Sequence, residues 1–320
     1  MESVLSIKER SEKEKKRLNR KRTWGRIKEN KALYAMIFPG VLYFIIFKYI
    51  PMGGLVIAFQ DYQPFLGILG SPSVGLEHFA RLFSTNDFMM LLKNTLALFL
   101  WSLCLSFPTP IILALLLNEV RHNKFKKFVQ TVTYLPNFLS MVIVVSIFYM
   151  LLTTEGGVVN NILNSLGMKS IPFLTSEKWL RPVYILQDVW KGTGWGSIVY
   201  IAAITNVDES LYEAAEMDGA GKLKKMWHIT LPSIRPTIIT LLILKIGSIL
   251  DLGFEHMFLL MNSLNKEVAQ IFDTYVYTQG IINGQLSYST AVGMFKGVVG
   301  FILVIGANKL ANKVGEEGLY

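Results

Sequence analysis

Six long, predominantly apolar stretches organise this chain of 320 residues, at positions 32–59, 89–117, 129–153, 182–205, 234–261 and 287–310. An α-helix rises about 1.5 Å per residue, so roughly 20 residues cross the hydrocarbon core of a bilayer, and every stretch is long enough. Lipid offers the backbone no hydrogen-bond partners, so a spanning segment of this length must satisfy its own and form a helix. The expected fold is therefore an all-α polytopic membrane protein with six transmembrane helices. Composition agrees: hydrophobic residues make up 52% of the chain and charged residues 17%, where a soluble domain carries about 25% charged. A secreted or disordered chain is excluded, and the single cysteine, Cys104, excludes an internal disulfide framework.

The sparse charge is uneven. The formal net charge is +9, and residues 1–31 hold 12 Lys and Arg against 5 Asp and Glu. The leader is too long, and the apolar run behind it too extended, for a cleaved signal peptide, so the first run reads as a permanent helix. If the N-terminus lies inside, the inside segments (the tail, 118–128, 206–235 and the end from Lys309) carry 22 Lys and Arg, and the outside loops carry 5. That asymmetry predicts an N-in, C-in topology. The expected organisation is a basic cytoplasmic tail over 1–31, a transmembrane domain over 32–310 with a cytoplasmic loop at 206–233, and a short C-terminal tail over 311–320. The tail holds one aromatic, Trp24, which suits attraction to anionic lipid headgroups rather than nucleic-acid binding.

The loop between the fourth and fifth runs differs from the others. Glu209–Met217 has helix-forming composition with acidic residues toward its start. Gly219 and Gly221 can end that helix and start another, and Leu223, Met226, Trp227 and residues 229–231 then form an apolar face leading into Pro232. The expectation is a compact helix-turn-helix with small residues exposed to a partner. Glu213, Ala214, Ala215, Gly219, Ile229, Leu231 and Pro232 stand at the spacing Glu-Ala-Ala, three residues, Gly, nine residues, Ile, one residue, Leu-Pro. This pattern resembles the EAA loop of bacterial ABC importer permeases at every fixed position. Tyr212, Asp218, Ala220 and Gly221 around it resemble the carbohydrate branch, which includes the maltose permease subunits. Further stretches, among them Tyr49-Ile50-Pro51-Met52, Leu116-Leu117-Asn118-Glu119, Tyr134-Leu135-Pro136 and Trp190-Lys191-Gly192-Thr193-Gly194-Trp195, look like polysaccharide-type permeases of Gram-positive bacteria.

The resemblance implies a type I ABC importer permease in the bacterial cytoplasmic membrane, importing oligosaccharides from acidic polysaccharides such as pectin, rhamnogalacturonan or alginate. Its partners would be a second, different permease, an ATPase dimer and an extracellular solute-binding lipoprotein. Glu213, Ala214, Ala215, Asp218, Gly219, Ala220 and Gly221 would contact the ATPase, and Ile229, Leu231 and Pro232 would position that contact. The chain has no G-x-x-x-x-G-K-[ST] sequence, so it is expected to bind no cofactor, and ATP with its magnesium would sit on the ATPase.

Polar residues at membrane depth are costly and face a cavity or a partner. Lys245 lies about 15 Å into the fifth run and Lys296 at comparable depth in the sixth. Asp251 and Glu255 follow Lys245 and would share one face of a continuous helix. Asn94 lies in the second run, and Asp188, Trp190, Lys191 and Trp195 in the fourth. Aromatic platforms and polar groups suit a sugar pathway, with Asn94, Trp190, Lys191, Trp195, Lys245, Asp251, Glu255 and Lys296 as candidates. The competing reading has the two lysines pairing with Asp251, Glu255 or the partner permease to hold helices together. Permeases for malto-oligosaccharides or glycerol-phosphate derivatives are the nearest alternative. An intramembrane protease built on Ser197 is more distant, for want of a histidine at its depth.

Overall fold

The computed structural model describes residues 29–313 and Gly315. The basic tail falls almost wholly outside these residues, as does most of the C-terminal tail. The chain divides into two units, Met1–Val56 and Ile57–Tyr320. In the first, the described part is nearly all α1, Lys31–Phe59, taken here up to Val56. Met36 and Phe38, for example, stand open, as the side chains of a helix solvated by lipid would.

The second unit is helical throughout its regular elements. After α2 (Glu77–Ser84) come α3 (Asn86–Asn118), α4 (Asn123–Phe138), α5 (Met141–Leu152), α6 (Val158–Ser165) and α7 (Glu177–Thr205). Then follow α8 (Glu209–Met217), α9 (Lys222–Ser233), α10 (Arg235–Gly247), α11 (Phe254–Leu260), α12 (Phe272–Tyr277) and α13 (Leu286–Lys313). Among the described residues, α1, α3 and α13 are long and apolar enough to cross a membrane, and five such spans result if α4 with α5 and α9 with α10 each count as one bent span. At 29 residues α7 is also long enough, but it carries Asp188 and Lys191 midway.

Two apolar runs do not form the single straight helices their sequence suggests. The third turns by 103° between α4 and α5. Pro136, which can donate no backbone hydrogen bond, ends the regular helix, and Ser140 starts the next one by accepting from the Ile143 N–H at 3.4 Å. The fifth stops at Gly247 and resumes only at Phe254, past Gly253 at φ +92°. Asp251 lies in that break and Glu255 in the first turn of α11, so they do not share a helical face.

Three apolar clusters hold the second unit together. Leu98, Val144, Phe148, Val183, Tyr184 and Met257 join α3, α5, α7 and α11. Leu82, Leu91, Phe272, Tyr275, Tyr288 and Val292 join α2, α3, α12 and α13. Ala114, Tyr200, Ile204 and Ile234 join the ends of α3 and α7 to the start of α10. The last cluster roots α8 and α9, which lie between α7 and α10 in the chain.

Candidate functional site

The Glu-Ala-Ala segment lies on α8, and local hydrogen bonds account for both of its ends. Asp208 caps the N-terminus by accepting from the Ser210 N–H at 3.0 Å. That bond, with a second from the Ser210 side chain, holds its carboxyl below the ordinary carboxylate range. At the other end Gly219 has φ +73°, its N–H donates to the Glu216 carbonyl at 3.0 Å, and the Ala220 N–H donates to the Ala215 carbonyl at 2.8 Å. This is a complete Schellman turn, which requires a left-handed residue at the position of Gly219. Gly221, by contrast, takes an ordinary extended conformation and caps α9.

Side chains then fix α8 against α9. Lys225 forms an ion pair with Glu216, which holds the Glu216 carboxyl below its ordinary range. The Tyr212 hydroxyl lies 2.9 Å from Oγ1 of Thr230, which is buried. Lys222 reaches across to the end of α3, donating to the Glu119 carbonyl at 3.1 Å with the Glu119 carboxylate at 3.4 Å. The loop is thus a braced unit tied to a long helix. Its outer side is open: Glu213, Ala214, Asp218, Gly219 and Gly221 are exposed, Met217 is 89% exposed and Leu223 70%. Ala215, Ala220, Ile229 and Leu231 are half-buried, while Pro232 is exposed. A rigid, small-residue surface with bare apolar side chains at its rim fits an interface, where apolar atoms are covered by a partner.

The membrane-depth candidates separate into distinct environments. Asn94 is buried; its amide donates to the Glu267 carbonyl at 2.6 Å and the Gln270 carbonyl at 3.0 Å, and it accepts from Arg181 at 3.2 Å. Lys191 donates to the carbonyls of Pro136 (3.4 Å), Asn137 (2.9 Å) and Leu139, satisfying the orphaned acceptors at the sharp turn between α4 and α5. Lys296 is paired with Asp273, and Asp251 stands 4.0 Å away. Asp273 also accepts from the Leu252 N–H at 3.2 Å, so this pair anchors the break between α10 and α11. Trp190 and Trp195 are partly exposed and meet Phe148 and Phe138 edge-on, with centroids 5.8 and 5.7 Å apart.

Lys245 differs from these. It lines a cavity of about 460 Å³ with Ser106, Asp188, Thr193, Tyr200 and Ser248, and has no ion pair among the described residues. A second cavity, of about 470 Å³, lies between α10 and α13 beside Asp251 and Lys296. Glu255 is exposed and lines neither. Gly194 is where α7 approaches α4 within the chain: a Cβ there would overlap the Thr133 carbonyl. Ser197, the residue a protease would need as nucleophile, donates to the Gly194 carbonyl at 2.6 Å, while buried His256 bonds Gln187 at 2.7 Å.

Residues 82–315 match the family model described as binding-protein-dependent transport system inner membrane component. The chain belongs to this family. Among its relatives, the polygalacturonan/rhamnogalacturonan transport system permease protein YteP of Bacillus subtilis (strain 168) is 61% identical over 305 residues, 95% of each chain. Protein LplB of the same organism is 54% identical over 294 residues, 92% of each chain. A chain of a bacterial alginate ABC transporter, solved in complex with an alginate pentasaccharide-bound periplasmic protein, superposes with a TM-score of 0.85 at 41% identity, covering 92% of this chain and 99% of that one. This inner membrane component is accordingly a sugar-type ABC permease, with α8 and α9 inside the matched region.

Several residues of the site carry no motif signal in the sequence. Thr230 and Asp273 gain their roles from contacts made across the fold, and the Lys222–Glu119 link joins positions 103 apart. Glu119 sits in one of the family-like stretches, which was the available hint.

Proposed function

We propose that the chain crosses a bacterial cytoplasmic membrane six times with both termini inside, and that α8 is the coupling helix through which a separate ATPase drives import of acidic oligosaccharides. Residues 1–31 form the cytoplasmic tail, 32–310 the transmembrane domain, 206–233 its coupling loop and 311–320 the end. A second permease completes the pathway, and an extracellular binding protein delivers the sugar. ATP and magnesium are held by the ATPase. The substrate class draws support from two relatives whose named polymers, polygalacturonan and alginate, are built from uronates.

The observation carrying this reading is the braced loop itself. Its hydrogen bonds are completed within the chain, yet the motif residues Glu213, Ala214, Asp218 and Gly219 face outward. Closure of an ATPase dimer against such a rigid body would be passed to α3 through Glu119 and to α10 through the end of α9. The test is Gly219→Val. A β-branched residue at φ +73° costs on the order of 1–2 kcal/mol, enough to unmake one turn but not the fold. The variant should insert and assemble normally, hydrolyse ATP, and lose at least about tenfold in sugar uptake. Normal uptake would remove the coupling assignment.

A further inference from the structure

The two membrane-depth lysines look equivalent in the sequence and are not. The ammonium of Lys296 is matched by Asp273 and Asp251. Lys245 has no such match among the described residues, yet it sits in a span where an ionised group is costly unless it meets water or an opposite charge. It lines a cavity whose wall is largely apolar, with Phe107, Pro110, Val199 and Leu241 beside a few polar residues. The cavity of about 460 Å³ falls in the size range of small-molecule sites, ~300–1,000 Å³. Ser106, Thr193 and Ser248 line it from α3, α7 and α10, the Thr193 and Ser248 hydroxyls donating to the Val189 and Lys245 carbonyls at 2.6 and 3.0 Å, and Asp188 stands on its wall.

A second observation is independent of the lysine. The Ser106 Oγ is buried and has no hydrogen-bond partner. It lies at the end of a widened turn of α3, where the Phe107 N–H donates to the Ser102 carbonyl five residues back at 2.9 Å. Pro108 follows and supplies no N–H of its own, and such insertions frequently mark functional positions. This widened turn therefore stands in the wall of the same cavity that holds an ammonium without an ion pair among the described residues.

We propose that Lys245 is a specificity-determining residue of the import pathway, binding the carboxylate of a uronic acid unit in this cavity. The inference rests on the reading of the chain as an acidic-oligosaccharide permease. A uronate, with a pKa of about 3.5, is ionised at neutral pH, and an ammonium meets it through a charge-assisted hydrogen bond. Asp188 repels that carboxylate and accepts from sugar hydroxyls instead, so the two charged walls orient the ring.

The test uses the complete importer in liposomes, fed either an oligogalacturonide or the same oligosaccharide with its carboxyls reduced to alcohols. Taking each variant relative to wild type cancels any preference of the binding protein. Lys245→Gln should raise KM for the acidic sugar on the order of 10- to 100-fold, the range of one hydrogen bond to a charged group. It should leave kcat, assembly and uptake of the neutral sugar near wild type, and Lys245→Arg should restore most of the loss. Equal losses for both sugars, no loss, or failure to assemble that arginine repairs would overturn the proposal, the last by pointing to a carboxylate on the second permease. A wild-type importer that takes up no acidic oligosaccharide would defeat the proposed function instead, before any variant is compared.

Discussion

The α8–α9 loop and the polar interior around α7 are built on opposite plans. In the loop, Glu213 and Ala214 are exposed and a Cβ added at Gly221 would meet nothing within 4 Å, so these motif residues do little for this chain, whereas Gly219 serves it through the left-handed turn at φ +73°. The bracing is left to neighbours, Asp208, Tyr212, Glu216, Lys225 and Thr230. In the interior, most candidates are held by the chain itself: Asn94 by two carbonyls and Arg181, Lys191 by three carbonyls, Lys296 by Asp273. A residue whose identity matters but whose surroundings are empty is shaped by a partner. A polar residue whose bonds are complete is shaped by the fold.

Substitutions can break this contrast. The largest effect is expected at Gly194, where any side chain meets the Thr133 backbone rather than a flexible tip. Gly194→Leu should destabilise by about 3 kcal/mol or more and sharply lower the yield of monodisperse protein in detergent. A stable, fully folded variant would mean that α7 and α4 do not pack this closely. Lys191→Met comes next. It strips the donor from the carbonyls of Pro136, Asn137 and Leu139 and should cost about 1–3 kcal/mol, seen as a lowered unfolding temperature whether or not sugar is present. If stability were unchanged and only sugar affinity fell, Lys191 would belong to the pathway instead.

The smallest effect belongs to the loop. Asp208 and Glu216 both have carboxyls held below the ordinary range, by the Ser210 N–H and by Lys225 respectively. A depressed folded pKa stabilises α8 above the unfolded value, about 4, and that contribution is lost as pH falls through the lowered folded value. Protection of the α8 amides, relative to their intrinsic exchange rate at each pH, should therefore be constant from neutral pH down to the ordinary carboxylate range and be lost below it. Both groups are exposed, so the change should be modest and local. Lys225→Met should remove the Glu216 part and leave the Asp208 part. Loss of protection near neutral pH would show that other groups brace the loop.

Apolar run length and the spacing of Glu213, Gly219 and Pro232 were enough to read an all-helical membrane chain of this transport family. Both signals are local: a run of side chains chooses helix in lipid, and a glycine that must take a left-handed turn is visible one residue at a time. The bends in the third and fifth runs were not legible, because hydropathy is the same on either side of a break. Gly253 and Pro136 permit those breaks, but only packing against α7 and α13 selects them.

The same division runs through the lysines. Chain order placed Lys245 and Lys296 at similar depth and gave no ground for telling them apart. The tertiary structure did so by bringing Asp273, 23 residues before Lys296, against one and leaving the other in a cavity that Asp188 also lines. Pairing of charges depends on distances between helices, which no single stretch of sequence contains.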